Sequence, residues 1–499
     1  MNSAPTGRTL LRRKFTLRDQ EIFAELSGDR NPMHIDPVAA RRTLLGGLAV
    51  HGVHLALAAL EALLEYRSKS LESQRARLSN TGPIFLRVAG LNVRFPKPVM
   101  VGEEIRIHLT EESSESCRLV GCVQNEIAFQ VLVRFEEGCP PDRVSGISSD
   151  CAEPLVDASF EDLSTAAGVL KYGMRVDAAC ELFPITTAIL QPSGIANVLA
   201  LTLLVGMRCP GLHSIFSDFD VQFQQPHDMA GCLLHYRVTH ADSRFRRLII
   251  EVNGDRLSGK VTAFVRPPPE RQPGIAEVAQ AIPKGLFAGH RALIVGGSRG
   301  LGEITAKIIA AGGGEPLITY HHGACDAERL VQEIRDWGGH CESIPLDVHH
   351  VVAPIRKLFR KSSAPGSIYY FATPKISSVR RGFFNEQTLA DFNEFYVSNF
   401  KRLLEAALAI SKSKLRVLYP SSVFVTETPR EMIEYAISKR TGEDLCAYYN
   451  RYRAENVEII VERLPRLKTD QTMSLLPTNV EDTLTVMAPL VKRVEGVNG

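Results

Sequence analysis

Two long apolar stretches dominate the first half of the chain, and each is followed by segments in which apolar and polar residues alternate. The first stretch is LAVHGVHLALAALEALLEY (residues 48–66), and the second is SGIANVLALTLLVGM (residues 193–207). A helix that is apolar on nearly every side must be covered, and strict alternation is typical of half-buried strands. The pattern therefore predicts, twice over, a long buried helix wrapped by a curved antiparallel sheet.

The two predicted units look like copies of each other. LNVRFPKPVMVGEEIRIHLT (residues 91–110) aligns with FDVQFQQPHDMAGCLLHYRVT (residues 219–239), so that Phe95 matches Phe223 and Pro98 matches Pro226. Downstream, EIAFQVLVRFEEG (residues 126–138) matches RLSGKVTAFVRPPP (residues 256–269) in its alternating character. Two copies indicate a paired unit, because a solenoid needs at least three.

A different pattern begins at about Gly289. RALIVGGSRGLGEITAKIIAAGGG (residues 291–314) is a strand, a Gly-rich turn and a helix, and further short apolar strands alternate with helical segments after it. This alternation predicts an α/β Rossmann-type domain, a doubly wound parallel sheet. With the Pro-rich stretch RPPPERQPG (residues 266–274) as a boundary signal, the predicted domains are 1–145, 146–268, a linker at 269–288, and 289–499.

Composition excludes several classes of function. The 499 residues carry a net charge of only +2, which predicts no nucleic-acid partner. The N-terminus lacks the apolar core of a secretory signal, and we expect no membrane span. The ten cysteines are scattered without metal-ligand spacing, so no metal site is predicted and a reducing, cytoplasmic location is expected.

The Gly-rich turn has the spacing of a dinucleotide site. Gly296, Gly300 and Gly302 follow a strand and open a helix, so the backbone near Ser298 and Leu301 can approach a pyrophosphate. The second strand ends at Tyr320, His321 and His322, without the acidic residue that binds an unmodified ribose. Together with Arg299 in the turn, this predicts NADP(H); the alternative is that Arg299 is a solvated loop charge.

A Ser, a Tyr and a Lys supply candidate proton-transfer chemistry. EYAISK places Tyr435 and Lys439 four residues apart on one helix face, and Ser422 ends a strand shortly before them. A nearby ammonium is expected to lower the pKa of the phenol, so that the tyrosine exchanges protons near neutral pH.

With these residues, the segment from about 289 to 480 resembles a short-chain dehydrogenase/reductase. The resemblance implies that Tyr435 is the general acid, Lys439 its partner and ribose anchor, and Ser422 the group that orients the carbonyl. It further assigns Asn399 to a proton relay, Asp347 to the adenine side and Thr469 to the carboxamide. His321 is added to the cofactor residues because it ends the second strand.

Two departures from this family stand out. Phe-Ala-Thr-Pro (residues 371–374) replaces the usual Asn-Asn-Ala-Gly, and the sequence ends at VEGVNG, where a last strand would begin. The usual tetramer interface is therefore in doubt, and a homodimer through this domain is expected.

The stretch GDRNPMHID (residues 28–36), followed by a Gly-rich segment and His51-Gly52, is similar to the MaoC-like (R)-specific enoyl-thioester hydratases. The likeness covers about residues 10–140, with a divergent half at 150–268, and implies a double hot-dog fold. It implies that Asp29 and His34 activate or expel one water, and that Gly52, with Asn31, contacts the thioester. Asp36 is expected to be only a helix N-cap before Pro37.

Two such activities would share an intermediate, since a 3-hydroxyacyl thioester is the product of reduction and the substrate of dehydration. The leading hypothesis is a bifunctional enzyme that acts on acyl-CoA or acyl-carrier-protein thioesters. A reductase whose hot-dog region only positions the acyl chain is the first alternative, and a non-enzymatic assembly factor is the second.

Overall fold

The computed structural model describes residues 7–75, 86–137, 153–224, 232–361, 364–374, 376, 384–474 and 479–497. The chain divides into two compact units, one built mainly from residues up to Pro268 and the other mainly from Pro269 onward. This division coincides with the predicted end of the second hot-dog half. The predicted boundary between the halves, at 145/146, lies outside the described residues.

The first unit contains ten strands and seven α-helices among its described residues. Its strands are β1 (Arg8–Lys14), β2 (Leu86–Arg94), β3 (Glu104–Glu112), β4 (Ser116–Val123), β5 (Glu126–Glu137), β6 (Ala167–Lys171), β7 (Ser214–Phe223), β8 (Leu233–Asp242), β9 (Arg247–Gly254) and β10 (Leu257–Val265). Its helices are α1 (Leu17–Ser27), α2 (Pro32–Ile35), α3 (Pro37–Ala40), α4 (Gly52–Arg75), α5 (Phe160–Leu163), α6 (Val176–Leu182) and α7 (Pro184–Leu203). A π-helical turn, Leu204–Arg208, continues α7.

All ten strands form one antiparallel sheet in the order β1-β3-β4-β5-β2-β7-β10-β9-β8-β6. Two separate sheets were predicted, and that part of the prediction is wrong: β2 and β7 pair directly and join the halves. The pairing is reciprocal, since Leu91 faces Val221 while Val93 faces Phe219. In the sequence repeat Leu91 matches Phe219 and Val93 matches Val221, so each residue faces the equivalent of the other. The halves are therefore related by a local twofold arrangement, as in an isologous dimer.

The long helices α4 and α7 pack against each other, and their buried residues share one hydrophobic core with the strands of the sheet. Gln191 interrupts α7 with a positive φ of 59°, so a second helical stretch begins beside Ser193 and Gly194, and every residue of it up to Leu203 is buried. This second start resembles the start of α4 at Gly52, which also opens a long buried helical stretch. The segment Pro184–Arg208, which spans this interruption, has a mean hydropathy of 1.7 and the length of a membrane span, in contrast to the expectation that the chain has none. Most of it is buried in the core, which makes this weak evidence for a span.

The second unit alternates helices and strands. Its elements are α8 (Ile275–Ala281), β11 (Arg291–Val295), α9 (Gly300–Ala311), β12 (Glu315–Tyr320), α10 (Ala324–Asp336), β13 (Glu342–Pro345), α11 (Val352–Phe359), β14 (Ser367–Tyr370), α12 (Glu386–Asn393), α13 (Phe400–Leu408), β15 (Leu415–Ser422), α14 (Phe424–Glu427), α15 (Ile433–Tyr452), β16 (Val457–Leu464) and α16 (Thr483–Glu495). A π-helical turn, Glu394–Asn399, joins α12 to α13.

Within the described residues, six parallel strands form a sheet in the order β13-β12-β11-β14-β15-β16. Numbered along the unit this is 3-2-1-4-5-6, and in such sheets ligands bind outside the carboxyl ends of the strands where the order reverses, here between β11 and β14. The segment 269–288 is more than the predicted linker. It carries α8, whose Ile275 and Val278 are buried in the core of the second unit beside α9.

Candidate active sites

Helix ends shape the loop that carries the first candidate site. Helix α1 stops at Gly28, which has the left-handed φ of 76° that favours glycine. The Asn31 side chain then caps α2 by accepting the Met33 N–H, and Asp36 caps α3 by accepting from Val38 and Ala39. The predicted capping role of Asp36 is thus confirmed. These consecutive turns bring Asp29 and His34 back beside each other.

Asp29, His34 and the side chain of His51 form a buried cluster. One side-chain ligand atom from each lies within 4.8 Å of the others. The Nδ1 of His34 is 2.8 Å from the carbonyl oxygen of Ala49 and must donate to it, since a carbonyl only accepts. In the neutral ring, Nε2 therefore keeps its lone pair and can accept a proton.

Burial sets the charge states of this cluster. It raises the pKa of Asp29, while the nearby His34 and a hydrogen bond from Thr202 act to lower that pKa. Burial likewise lowers the pKa of His34, against the effect of Asp29, and lowers the pKa of His51 well below its ordinary value. The imidazoles are therefore neutral around pH 7, and His34 is able to act as a base.

The same cluster has the composition of a metal site, but its geometry favours acid–base chemistry. The rings of His34 and His51 are stacked, with centroids 3.8 Å apart and planes at 25°. Lone pairs lie in the ring planes, so two stacked imidazoles do not converge on one ion at the ~2 Å that zinc requires. His51 is further fixed by Gln20, whose Oε1 accepts its backbone N–H.

The other residues predicted for this site lie around the cluster. Gly52 is the first residue of α4, where backbone N–H groups have no partner within the helix, as a thioester contact requires. Asn31 is fully buried, and its amide donates to the carbonyl oxygens of Gly206 and Gly211. These contacts favour a structural role for Asn31 over the predicted contact with substrate.

Sequence reasoning missed two contributors to this site, Thr202 and Gly206. Both belong to the second half of the unit, and the Thr202 hydroxyl donates to Asp29 Oδ2 over 2.6 Å. Their only signal in the sequence is their position near the end of the second apolar stretch, and that stretch predicted a core helix and no site.

The second candidate site begins at the Gly-rich turn. Gly296 has a φ of 78°, and a Cβ on Gly302 would lie 2.4 Å from the Gly296 carbonyl oxygen. The turn is therefore closed tightly onto the start of α9, and a side chain at Gly302 would open it. A Cβ on Gly300, whose φ is 55°, would instead lie in ordinary contact with Thr469, 3.7 Å from its Cγ2. Predicted cofactor residues thus flank a cradle at the helix N-terminus.

The charged groups predicted to select the cofactor already form ion pairs with residues of the protein. Arg299 Nη1 lies 3.0 Å from Asp470 Oδ2, and Arg299 Nε lies 3.8 Å from Asp326. Two neighbouring carboxylates weaken the simple prediction that Arg299 is free to bind a 2′-phosphate. His321 Nε2 lies 4.0 Å from Asp347 Oδ2, so these two predicted residues do share the edge of the sheet beyond β12 and β13.

Ser422, Tyr435 and Lys439 come together as predicted. Ser422 ends β15, and its side chain hydrogen-bonds with Tyr435 of α15. The Lys439 Nζ donates to the Pro420 carbonyl oxygen over 2.6 Å. The expected pKa pattern is wrong, however: burial raises the pKa of Tyr435 to about 12 and lowers the pKa of Lys439 to about 7.

Tyr396, which the sequence analysis did not single out, lies between these groups. Lys439 Nζ is 3.8 Å from the centroid of its ring, and the ring packs edge to face on Tyr435. Its hydroxyl bonds to Thr373, one of the residues that replace the usual family motif. The unusual motif therefore supports an aromatic platform under Lys439.

Asn399 is fully buried at the end of the π-helical turn, close to that platform. Its side chain accepts from Arg402 over 2.9 Å and lies 3.4 Å from His349. The structure places it on the expected helix, and its part in a proton relay stays a prediction.

Comparison with known proteins supports the resemblance of the N-terminal residues to MaoC-like proteins directly. Residues 2–128 match the family model described as MaoC like domain. The protein MaoC of Klebsiella aerogenes is 31% identical over 106 residues, which are 21% of this chain and 28% of that protein. The chain thus matches well under a third of the length of this curated relative. The chain carries a MaoC-like domain at its N-terminus.

Solved structures of a short-chain dehydrogenase and of another oxidoreductase are similar to part of this chain. The enzyme from Burkholderia cenocepacia in complex with NADP is 22% identical, with a TM-score of 0.36, over 42% of this chain and 91% of that one. An oxidoreductase from Escherichia coli is 17% identical, with a TM-score of 0.38, over 42% and 92%. The second unit itself carries the sheet order 3-2-1-4-5-6, the Gly-rich turn and the Ser422–Tyr435–Lys439 arrangement.

Proposed function

We propose that this chain is a bifunctional enzyme of acyl thioester metabolism. The first unit, a double hot-dog, interconverts (R)-3-hydroxyacyl and trans-2-enoyl thioesters. The second unit, a Rossmann-type short-chain dehydrogenase/reductase, interconverts 3-oxoacyl and 3-hydroxyacyl thioesters with NADP(H). The observation that carries the proposal is the pairing of a buried Asp29–His34 site with the Ser422–Tyr435–Lys439 arrangement in one chain. Acyl-CoA and acyl-carrier-protein thioesters are the substrate classes, in the cytoplasm.

In hydration, His34 Nε2 takes a proton from water while the water oxygen bonds to the β-carbon of the enoyl group. Asp29, as a carboxylate, accepts a hydrogen bond from the other hydrogen of that water and stabilises the imidazolium. The same imidazolium then returns its proton to the α-carbon, so that one water is added overall. The N-terminus of α4 at Gly52 stabilises the negative charge on the thioester oxygen.

In reduction, Tyr435 gives its proton to the carbonyl oxygen, and Ser422 holds that oxygen by a hydrogen bond. The turn around Gly296 and Gly302 would hold the pyrophosphate, and Thr469 borders it. When bound, the reduced nicotinamide supplies the hydride. Lys439, with a pKa of about 7, is partly charged at neutral pH and favours proton transfer from the tyrosine.

The test is a coupled assay with purified protein, NADPH and a short 3-oxoacyl-CoA, with products resolved by mass spectrometry. We expect a 3-hydroxyacyl product and its dehydrated enoyl partner. Asp29→Asn should stop the sequence at the hydroxy stage, and Tyr435→Phe should prevent any conversion of the 3-oxoacyl substrate. An unmutated protein that forms only the 3-hydroxyacyl product would favour the reductase with a substrate-positioning hot-dog region. The absence of both NADPH binding and turnover would favour the assembly-factor hypothesis.

A further inference from the structure

The second half of the first unit reaches directly into the Asp29 site. Thr202, near the end of α7, is buried, and its hydroxyl donates to Asp29 Oδ2 over 2.6 Å. This is the short length typical of a hydrogen bond to an ionised carboxylate. The other carboxylate oxygen, Oδ1, accepts the backbone N–H of Asn31 over 3.2 Å. Each half therefore supplies one donor to the same carboxylate.

Gly206, one turn further on, leaves the space in which this carboxylate lies. A Cβ built on Gly206 would be 2.1 Å from Asp29 Oδ1 and 2.4 Å from its carboxyl carbon, far inside contact distance. Gly206 belongs to the π-helical turn Leu204–Arg208, and such turns occur frequently at functional sites. Its carbonyl oxygen also accepts from the Asn31 amide over 2.9 Å, which fixes the loop onto the turn.

We propose that Thr202 and Gly206 are positioning residues for the hydration site, through which the half without its own Asp–His pair orients Asp29 and favours its ionised form. This inference rests on the proposed hydratase function. It gives the divergent half a chemical role beyond completing the sheet, because the donor and the space both come from that half.

The sign of the effect follows from the groups around Asp29. His34 of α2 faces it, His51 Nε2 before α4 lies 3.9 Å from Oδ2, and Arg266 after β10 acts electrostatically on His34. Against burial, which raises the pKa of Asp29, the Thr202 hydroxyl lowers it. Removal of that hydroxyl therefore raises the pKa of Asp29, and the acidic limb of the hydration profile moves to higher pH.

The experiment compares Thr202→Val with Thr202→Ser, which keeps the hydroxyl. Thr186→Val is the matched control, because Thr186 is also buried in α7 but its hydroxyl has no hydrogen-bond partner among the described residues. The readout is kcat/KM for hydration of a short trans-2-enoyl-CoA from pH 5 to 9. For Thr202→Val we expect about a tenfold loss at pH 7 and a limb shifted upward by about one pH unit, since a hydrogen bond to a charged group has roughly that effect.

The serine variant should stay within about twofold of the unmutated protein, and Thr186→Val should not change the profile. Gly206→Ala should abolish hydration while far-ultraviolet circular dichroism stays the same. A Thr202→Val profile that coincides with that of the unmutated protein would overturn the proposal.

If the unmutated protein hydrates no enoyl thioester, the proposed function fails, and a second measurement still tests the positioning. Thr202→Val is then compared in the unmutated and the Asp29→Ala backgrounds by thermal unfolding. We expect a larger fall in Tm where Asp29 is present, because the lost hydrogen bond exists only there. Equal falls in both backgrounds would refute a specific Thr202–Asp29 interaction.

Discussion

Replacing Tyr396 tests whether its ring keeps Lys439 charged. Burial lowers the pKa of Lys439 to about 7, so near neutral pH only about half of the molecules carry the ammonium. The ring of Tyr396, with its centroid 3.8 Å from Nζ, opposes this effect of burial because its face attracts a cation. A desolvated contact of this kind contributes about 2 kcal/mol.

We expect Tyr396→Leu to lose most of that contribution. One pKa unit corresponds to ~1.4 kcal/mol, so the pKa of Lys439 should fall by about one unit. At pH 7 the charged fraction would then drop from about a half to about a tenth. NADPH-dependent reduction of a 3-oxoacyl-CoA, followed by absorbance, should show a loss of about fivefold at pH 7 and an alkaline limb moved to lower pH.

Two variants separate this effect from general damage to the core. Tyr396→Phe keeps the ring and loses only the bond to Thr373, so its limb should remain in place. Tyr370→Leu is the control for general damage, because it removes another buried tyrosine of the same core, whose hydroxyl donates to the Phe395 carbonyl oxygen. A Tyr396→Leu limb that does not move, or a phenylalanine variant shifted as far as the leucine variant, would refute the reasoning.

Two further predictions concern the Gly-rich turn and the buried His54. Gly302→Ala should abolish NADPH binding, measured by fluorescence titration, because the added Cβ would lie 2.4 Å from the Gly296 carbonyl oxygen. The control variant Gly366→Ala should bind NADPH normally, because its added Cβ would have nothing within 4 Å. Equal affinities of the two variants would contradict the close packing of the turn. His54 is fully buried and stacked on Phe23 at 4.4 Å, with its pKa lowered by burial to about 3. The unfolded chain binds the proton more readily between pH 6.5 and 3, so this histidine lowers stability as the pH falls, by about 2 kcal/mol at pH 5. His54→Leu should therefore lessen the loss of stability between pH 8 and pH 5 in urea unfolding, and an unchanged pH dependence would exclude this effect.

Much of the fold follows from short-range patterns in the sequence. The two apolar stretches, the alternation that follows them and the strand–turn–helix around Gly296 are local signals, because the period of side-chain burial is set by the helix and the strand themselves. The same holds for Asp29 with His34 and for Tyr435 with Lys439, whose spacings along the chain are short. These patterns predicted a sheet-and-helix repeat, a parallel sheet and both candidate sites.

What the sequence did not reveal depends on residues far apart in the chain. Thr202 and Gly206 meet Asp29 across more than 170 positions, and no periodicity indicates such a contact. The join of the two halves through β2 and β7 is likewise a matter of which sheet edges meet. The sequence also did not predict the effect of burial on the pKa values of Tyr435 and Lys439, because desolvation depends on every residue packed around a group.

The sequence by itself thus determined the kinds of elements, their order and the chemical groups available to each site. Only the tertiary structure decided which half orients Asp29, which ring lies under Lys439 and how strongly each proton is held. The physical reason is that secondary structure and capping arise from neighbours along the chain, whereas electrostatics and close packing arise from neighbours in space.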